Sequence, residues 1–179
     1  MKSSVRAIGL AAALAALAAV APATASAAPT VGDYSCDFDL SVQTEVYNNS
    51  SGPFTAAGTA ECWVDDPTQR VPAQLSASGT YTAQKCSLLS VAQPSYLTLR
   101  GSLTITPAAG SGWPSGTTGM TITTADVANV DTSAGTIALD SGQSGPVTVQ
   151  YDKPVLGTIQ RCGGGNRFRP QYSGTFLAH

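Results

Sequence analysis

The chain reads as an all-β protein, an antiparallel β-sandwich or partly closed barrel of about 8–10 short strands with two disulfides. Three observations predict this. Apolar and polar residues alternate with a period of two nearly everywhere beyond residue 27. No stretch there sustains the spacing of a helix; a single helical turn fits only at 124–129. Clusters of Gly, Pro, Asn, Asp and Ser interrupt the pattern at intervals of about 8–12 residues.

The first 27 residues are not part of that pattern. Lys2 and Arg6 precede an uncharged Ala/Leu run, and Ala25-Ser26-Ala27 supplies small residues at a cleavage position. This reads as a signal peptide over 1–27, cut after Ala27, with Ala25 as the alternative. Its alanine content has a bacterial look. Residues 28–179 then form a single secreted domain of about 150 residues, enough for one core. No apolar run after residue 27 approaches the roughly 20 residues needed to span a bilayer as a helix. Over the whole chain, 9 Lys and Arg stand against 11 Asp and Glu. An acidic balance with so few cations argues against nucleic acid as a partner.

The strands follow in order. Cys36, Phe38, Leu40, Val42, Thr44 and Val46 share one face, while Asp37, Asp39, Ser41, Gln43 and Glu45 share the other. Residues 54–64 make a neighbouring strand across an Asn49-Ser50-Ser51-Gly52-Pro53 turn. In 71–83, Val71, Ala73, Leu75, Ala77, Gly79, Tyr81 and Ala83 point inward; in 97–106, Leu97, Leu99, Leu103 and Ile105 do. Shorter candidates are 120–124, 127–130, 136–140, 146–151, 155–162 and 168–178. Further turn signals are Asp65-Asp66-Pro67, Ala108-Ala109-Gly110, Ser133-Ala134-Gly135, 141–146 and 162–166. Pro72, Pro107, Pro146 and Pro170 suit strand starts or edges. A small-Gly-Thr triplet recurs at 57–59, 78–80, 115–117, 134–136 and 173–175. The intervals are too irregular for a repeat architecture. Glycine inside a strand marks a bulge or the crossing of a large side chain.

Cys36, Cys62, Cys86 and Cys162 all lie in the exported part. An even number in an oxidising compartment reads as two disulfides. Without a C-x₂-C pair, a zinc site is the poorer reading. Of three pairings, Cys36–Cys62 with Cys86–Cys162 is preferred, because the first two lie at similar heights on adjacent strands.

The chemistry open to the chain is narrow. The sole histidine is His179, so triads that need a positioned imidazole are excluded, as is His-based zinc catalysis. Paired cysteines leave no thiolate, and no phosphate-binding glycine loop leads into a helix. Only carboxylate chemistry survives. Glu45 and Glu61 are the only glutamates, and two carboxyls at the right separation are the minimum for glycoside hydrolysis. The plainer reading is that both keep an outer sheet face soluble. Asp37 with Asp39, and Asp65 with Asp66, resemble calcium-type oxygen clusters, but edge charge and turn formation explain them better. No metal and no cofactor are expected.

Residues 28–66 hold seven acids and no base, while Lys153, Arg161, Arg167 and Arg169 lie in an acid-free stretch. If the last strand lies beside the first, Arg167 and Arg169 face Asp37 and Asp39. The functional alternative is an anion-binding loop from Arg161 to Arg167. Trp113, in a Gly/Ser loop, is either a stacking platform for a sugar or partner, or a plug over one end of the fold. Trp63 either lines an exposed aromatic face with Tyr47 or covers a disulfide. Arg70, in the Pro-flanked loop 66–72, has the setting of a protease inhibitor's specificity residue. Asn48-Asn49-Ser50-Ser51 contains Asn-x-Ser acceptors, read here as turn residues.

The expectation is a secreted, non-catalytic binding or cell-surface module. It acts through end loops, with Trp113, Trp63, Arg161, Arg167 and Arg169 as contacts, on an extracellular protein or a glycan. The alternatives are an inhibitor of an extracellular hydrolase through Arg70 and a carboxylate-dependent hydrolase through Glu45 and Glu61.

Overall fold

A computed structural model of the chain describes residues 28–47, 50–83, 97–124, 132–152 and 167–179. The expected signal peptide, Cys86, Cys162, Arg161 and the strand candidates 127–130 and 155–162 lie outside the described residues. So does almost all of the helical turn expected at 124–129.

Every strand pairing is antiparallel. After a short 3₁₀ turn (Val31–Asp33) come β1 (Ser35–Val42), β2 (Val46–Tyr47), β3 (Ser51–Trp63) and β4 (Val71–Ala83). Then follow β5 (Leu97–Pro107), β6 (Gly116–Thr124), β7 (Thr132–Leu139), β8 (Ser144–Tyr151), β9 (Arg167–Phe168) and β10 (Pro170–Phe176). β3 to β8 pair in sequence, β8 pairs with β10, β10 with β1, and β1 with β3. This closes an eight-stranded barrel. β2 and β9 form a separate two-stranded sheet.

Of the two architectures expected, a sandwich and a partly closed barrel, the structure takes the second and closes it completely. Both edges of β1 are used, by β10 and by β3, so no sheet edge remains for a second layer. The alternation predicted for β1, β4 and β5 is the one seen: their inward residues are the buried ones, except Val71 and Gly79 of β4, which are half-buried. Outward positions carry Thr, Ser and Gln, as in Gln74, Ser76, Ser78, Thr80 and Thr82 of β4. The outer face of β4 is thus polar, without the apolar band that a membrane-crossing barrel carries. No helix among the described residues is long and apolar enough to cross a membrane.

Several local expectations are corrected. The first strand stops at Val42, because Gln43 to Glu45 leave the ladder and Val46–Tyr47 pair with β9 instead. Ser51, Gly52 and Pro53 belong to β3, where they oppose Thr82, Tyr81 and Thr80. Ser133, Ala134 and Gly135 lie inside β7 rather than in a turn. β6 begins four residues before the expected 120, at Gly116.

The strand-interior glycines also differ from expectation. Register runs unbroken through Gly58, Gly79 and Gly101, so none of them is a bulge. A Cβ on Gly58 would strike the Asp39 carbonyl, and Cβ atoms on the facing Gly79 and Gly101 would strike the backbone of the opposite strand. Glycine is required where the wall folds sharply and adjacent backbones close up, which lets a flat meander curl into a barrel.

Cys36 and Cys62 face each other in the β1–β3 register and are disulfide-bonded, with Cα atoms 4.1 Å apart. The core fills the lumen with Phe38, Leu40, Phe54, Leu75, Leu99, Leu103, Ile105, Met120, Ile122 and Phe176. Phe38 and Phe176 pack with ring centres 5.6 Å apart.

Candidate functional site

The barrel has two rims and a wall, and the expected site residues divide among them. The upper rim is where β1 begins and β3 ends. Tyr34, fully buried, stacks on Trp113 with ring centres 4.9 Å apart and planes 15° from parallel. Its hydroxyl donates to the Pro114 carbonyl at 2.8 Å. Gln143, also buried, donates from Nε2 to the carbonyls of Val31 (2.5 Å) and Tyr34 (3.3 Å). Its Oε1 accepts from the Ser141 hydroxyl at 2.6 Å. One face of Trp113 is therefore occupied by Tyr34, and the indole packs on the core.

On the outer wall just below this rim, β10, β1, β3 and β4 enclose a groove of about 620 Å³. Register sets its lining: Asp37 opposes Glu61 and Thr175, Asp39 opposes Thr59 and Ser173, and Thr59 opposes Gln74. Three carboxylates, three hydroxyls and an amide thus share one concave surface. Arg70 bounds it. Its guanidinium contacts Asp37 Oδ2 at 2.6 Å and lies over the Trp63 ring, 4.7 Å from the centroid. Its Nε donates to the Pro67 carbonyl at 3.2 Å. Asp66 shapes this loop by accepting from the Thr68 amide and hydroxyl, which also lower its pKa.

The groove is acidic in its resting charge. The Thr175 hydroxyl, donating to Asp37 Oδ1 at 2.5 Å, is the largest influence holding the Asp37 pKa below its usual value; Arg70 adds to it and partial burial opposes it. Asp39 and Glu61 make no ion pair among the described residues. The sign of the Asp37 linkage follows from the lowered pKa. Its stabilising contribution is complete above the unfolded value near 3.8 and is lost as pH falls through the lower folded value. The gap in melting temperature between wild type and Asp37→Asn should therefore be present at about pH 5 and vanish towards about pH 2. A gap that persists in acid would contradict the assignment.

The lower rim carries the other charged cluster. Arg167 Nη1 contacts Glu45 Oε2 at 2.9 Å and its guanidinium lies over the Tyr47 ring at 5.2 Å. Arg169 Nη2 reaches Glu45 Oε1 at 3.9 Å. The Tyr47 amide donates to the Tyr81 hydroxyl at 3.3 Å.

Set against the sequence expectations, β10 does lie beside β1, but Ser41 opposes Gln171. That register carries Arg167 and Arg169 past the end of β1 to Glu45 and away from Asp37 and Asp39. Trp63 and Tyr47 sit at opposite rims and share no face; Trp63 lies under Arg70. The Arg70 side chain lies along the wall, on Asp37 and Trp63. Glu45 and Glu61 are also at opposite ends. The rise of β1 from Asp37 to Val42 alone is about 16 Å, beyond any spacing used for glycoside hydrolysis. The groove was within reach of the sequence: once Cys36 is placed opposite Cys62, Asp37 must oppose Glu61. Gln143, in a Ser-Gly-Gln-Ser-Gly turn, carried no such signal.

No protein-family model matches the chain, and the searches of curated proteins and of solved structures found no match.

Proposed function

We propose that the protein is a secreted, non-catalytic binding module that holds a cationic, extended segment of an extracellular partner in its outer groove. The observation that carries this reading is the groove itself, in which Asp39 and Glu61 stand among hydroxyl and amide groups and pair with no cation among the described residues. Acceptors outnumber donors there, so the ligand must bring donors and positive charge. The contact between Arg70 and Asp37 is an internal example of that pairing. The disulfide and the polar outer face of β4 support an extracellular setting. Turnover has no support in the groove's carboxylates. Asp37 is held ionised, and Asp39 and Glu61 beside it are exposed.

The test is binding of a fluorescent lysine-rich peptide at low and high salt. Wild-type binding should weaken as salt rises. Asp39→Asn/Glu61→Gln should weaken it about tenfold at low salt, the order expected for two partly screened charge pairs. Equal binding by the double variant would sink the reading. Salt-independent binding of a neutral oligosaccharide in the groove would replace it with a glycan.

A further inference from the structure

The upper end of the outer groove is occupied by a side chain of the protein itself. Alternation along β3 puts Thr59, Glu61 and Trp63 on one outward face. Thr59 and Glu61 are exposed there, yet Trp63 is only 9% exposed. Arg70 supplies cover: its guanidinium lies over the indole, 4.7 Å from the ring centre, while contacting Asp37 Oδ2 at 2.6 Å. A carboxylate at its edge and an aromatic ring at its face are the two partners that suit a planar guanidinium. Asp37 and Trp63 thus form a guanidinium site on the groove wall, and Arg70 fills it.

Arg70 is held there lightly. Its side chain and that of Asp37 are 41% and 43% exposed, and exposed ion pairs and cation–π contacts are weak. The turn that carries Arg70 is closed by its own groups. Asp66 accepts from the Thr68 amide and hydroxyl and from Gln69 Nε2, and the Gln69 amide donates to the Asp66 carbonyl. Arg70 Nε donates to the Pro67 carbonyl of the same turn. Among the described residues, no side chain of 65–69 hydrogen-bonds to the barrel wall. The guanidinium can therefore leave Asp37 and Trp63 without breaking another bond of the turn.

We propose that Asp37 and Trp63 are an arginine subsite: an arginine of the bound segment displaces Arg70, stacks on Trp63 and pairs with Asp37. The inference rests on the reading of the groove as a site for a cationic extended segment. It adds that the segment is read for arginine over lysine and that Arg70 is a built-in competitor. Lysine is the poorer occupant, because its ammonium is a point charge without the fork or the flat face of a guanidinium. A competitor on the chain lowers the apparent affinity in proportion to the fraction of molecules in which it holds the site.

The test titrates the protein at low salt with two fluorescent peptides of equal length and charge, one arginine-rich and one lysine-rich. Wild type should bind the arginine peptide about threefold more tightly, the order of one exposed cation–π contact. Trp63→Leu should make the two equal. Arg70→Lys keeps the charge beside the groove but weakens the competitor, so it should tighten the arginine peptide about threefold. In isotope-labelled wild type, the Arg70 Nε–H resonance should move on saturation with the arginine peptide. Equal affinities in wild type, a preference that survives Trp63→Leu, wild-type affinity in Arg70→Lys or an unmoved Arg70 resonance would each overturn the inference. The reading of the groove would still stand in those cases if Asp39→Asn/Glu61→Gln weakened the lysine peptide. Failure of both peptides to bind, or binding that ignores salt, would overturn the two together.

Discussion

Replacing Cys36 and Cys62 together by alanine is expected to lower stability by about 3.5 kcal/mol, the chain-entropy value for a crosslink of this span. The two residues are 26 apart in sequence and fully buried. The effect should be large because of where the bond sits. β1 closes the barrel, pairing with β10 on one side and β3 on the other. Without the crosslink, only backbone pairing and packing hold the closing strand in the register that sets Asp37 against Glu61. For a domain of this size the melting temperature should fall by about 10 °C. Scanning calorimetry of the double variant, with Cys86 and Cys162 left intact, measures it. A fall below about 3 °C would mean that the unfolded chain is already compact around this pair.

The second large effect is expected at Gln143. Leucine fits the volume but removes both amide donors, which takes the side-chain partner from the Tyr34 carbonyl and leaves the Val31 carbonyl only the long contact with the Tyr34 amide at 3.5 Å. Each lost acceptor costs about 1–3 kcal/mol when buried. One of the two is only part-buried, so a total of about 2–4 kcal/mol is expected for Gln143→Leu. The same change should be visible locally. Tyr34 is fixed by Gln143 on its backbone and by Pro114 on its hydroxyl, and Trp113 stacks on its ring. In a Trp63→Phe background, the remaining Trp113 emission should shift to the red and become more open to acrylamide quenching. Destabilisation without that shift would show that the stack does not depend on the amide.

These two sites divide what was legible from what was not. The strand faces of β1, β4 and β5 followed from alternation alone, because side-chain direction has a period of two whatever the neighbours are. The disulfide followed from compartment and from similar heights on adjacent strands. The rim contacts did not follow. Tyr34, Trp113 and Gln143 are 30 to 110 residues apart, and no local pattern marks a glutamine whose amide will bridge two distant carbonyls.

Sequence by itself determined the all-β class and the inward faces of the long strands, and it made Cys36–Cys62 the preferred pairing of three. Each of these depends on residue type and local period. Tertiary structure decided that the meander closes on itself and that Arg167 and Arg169 meet Glu45. It also decided that Arg70 lies on Trp63 and that Asp37, Asp39 and Glu61 share one groove. Those outcomes depend on register between strands distant in sequence. A shift of one residue there would turn every side chain of a strand to the opposite face.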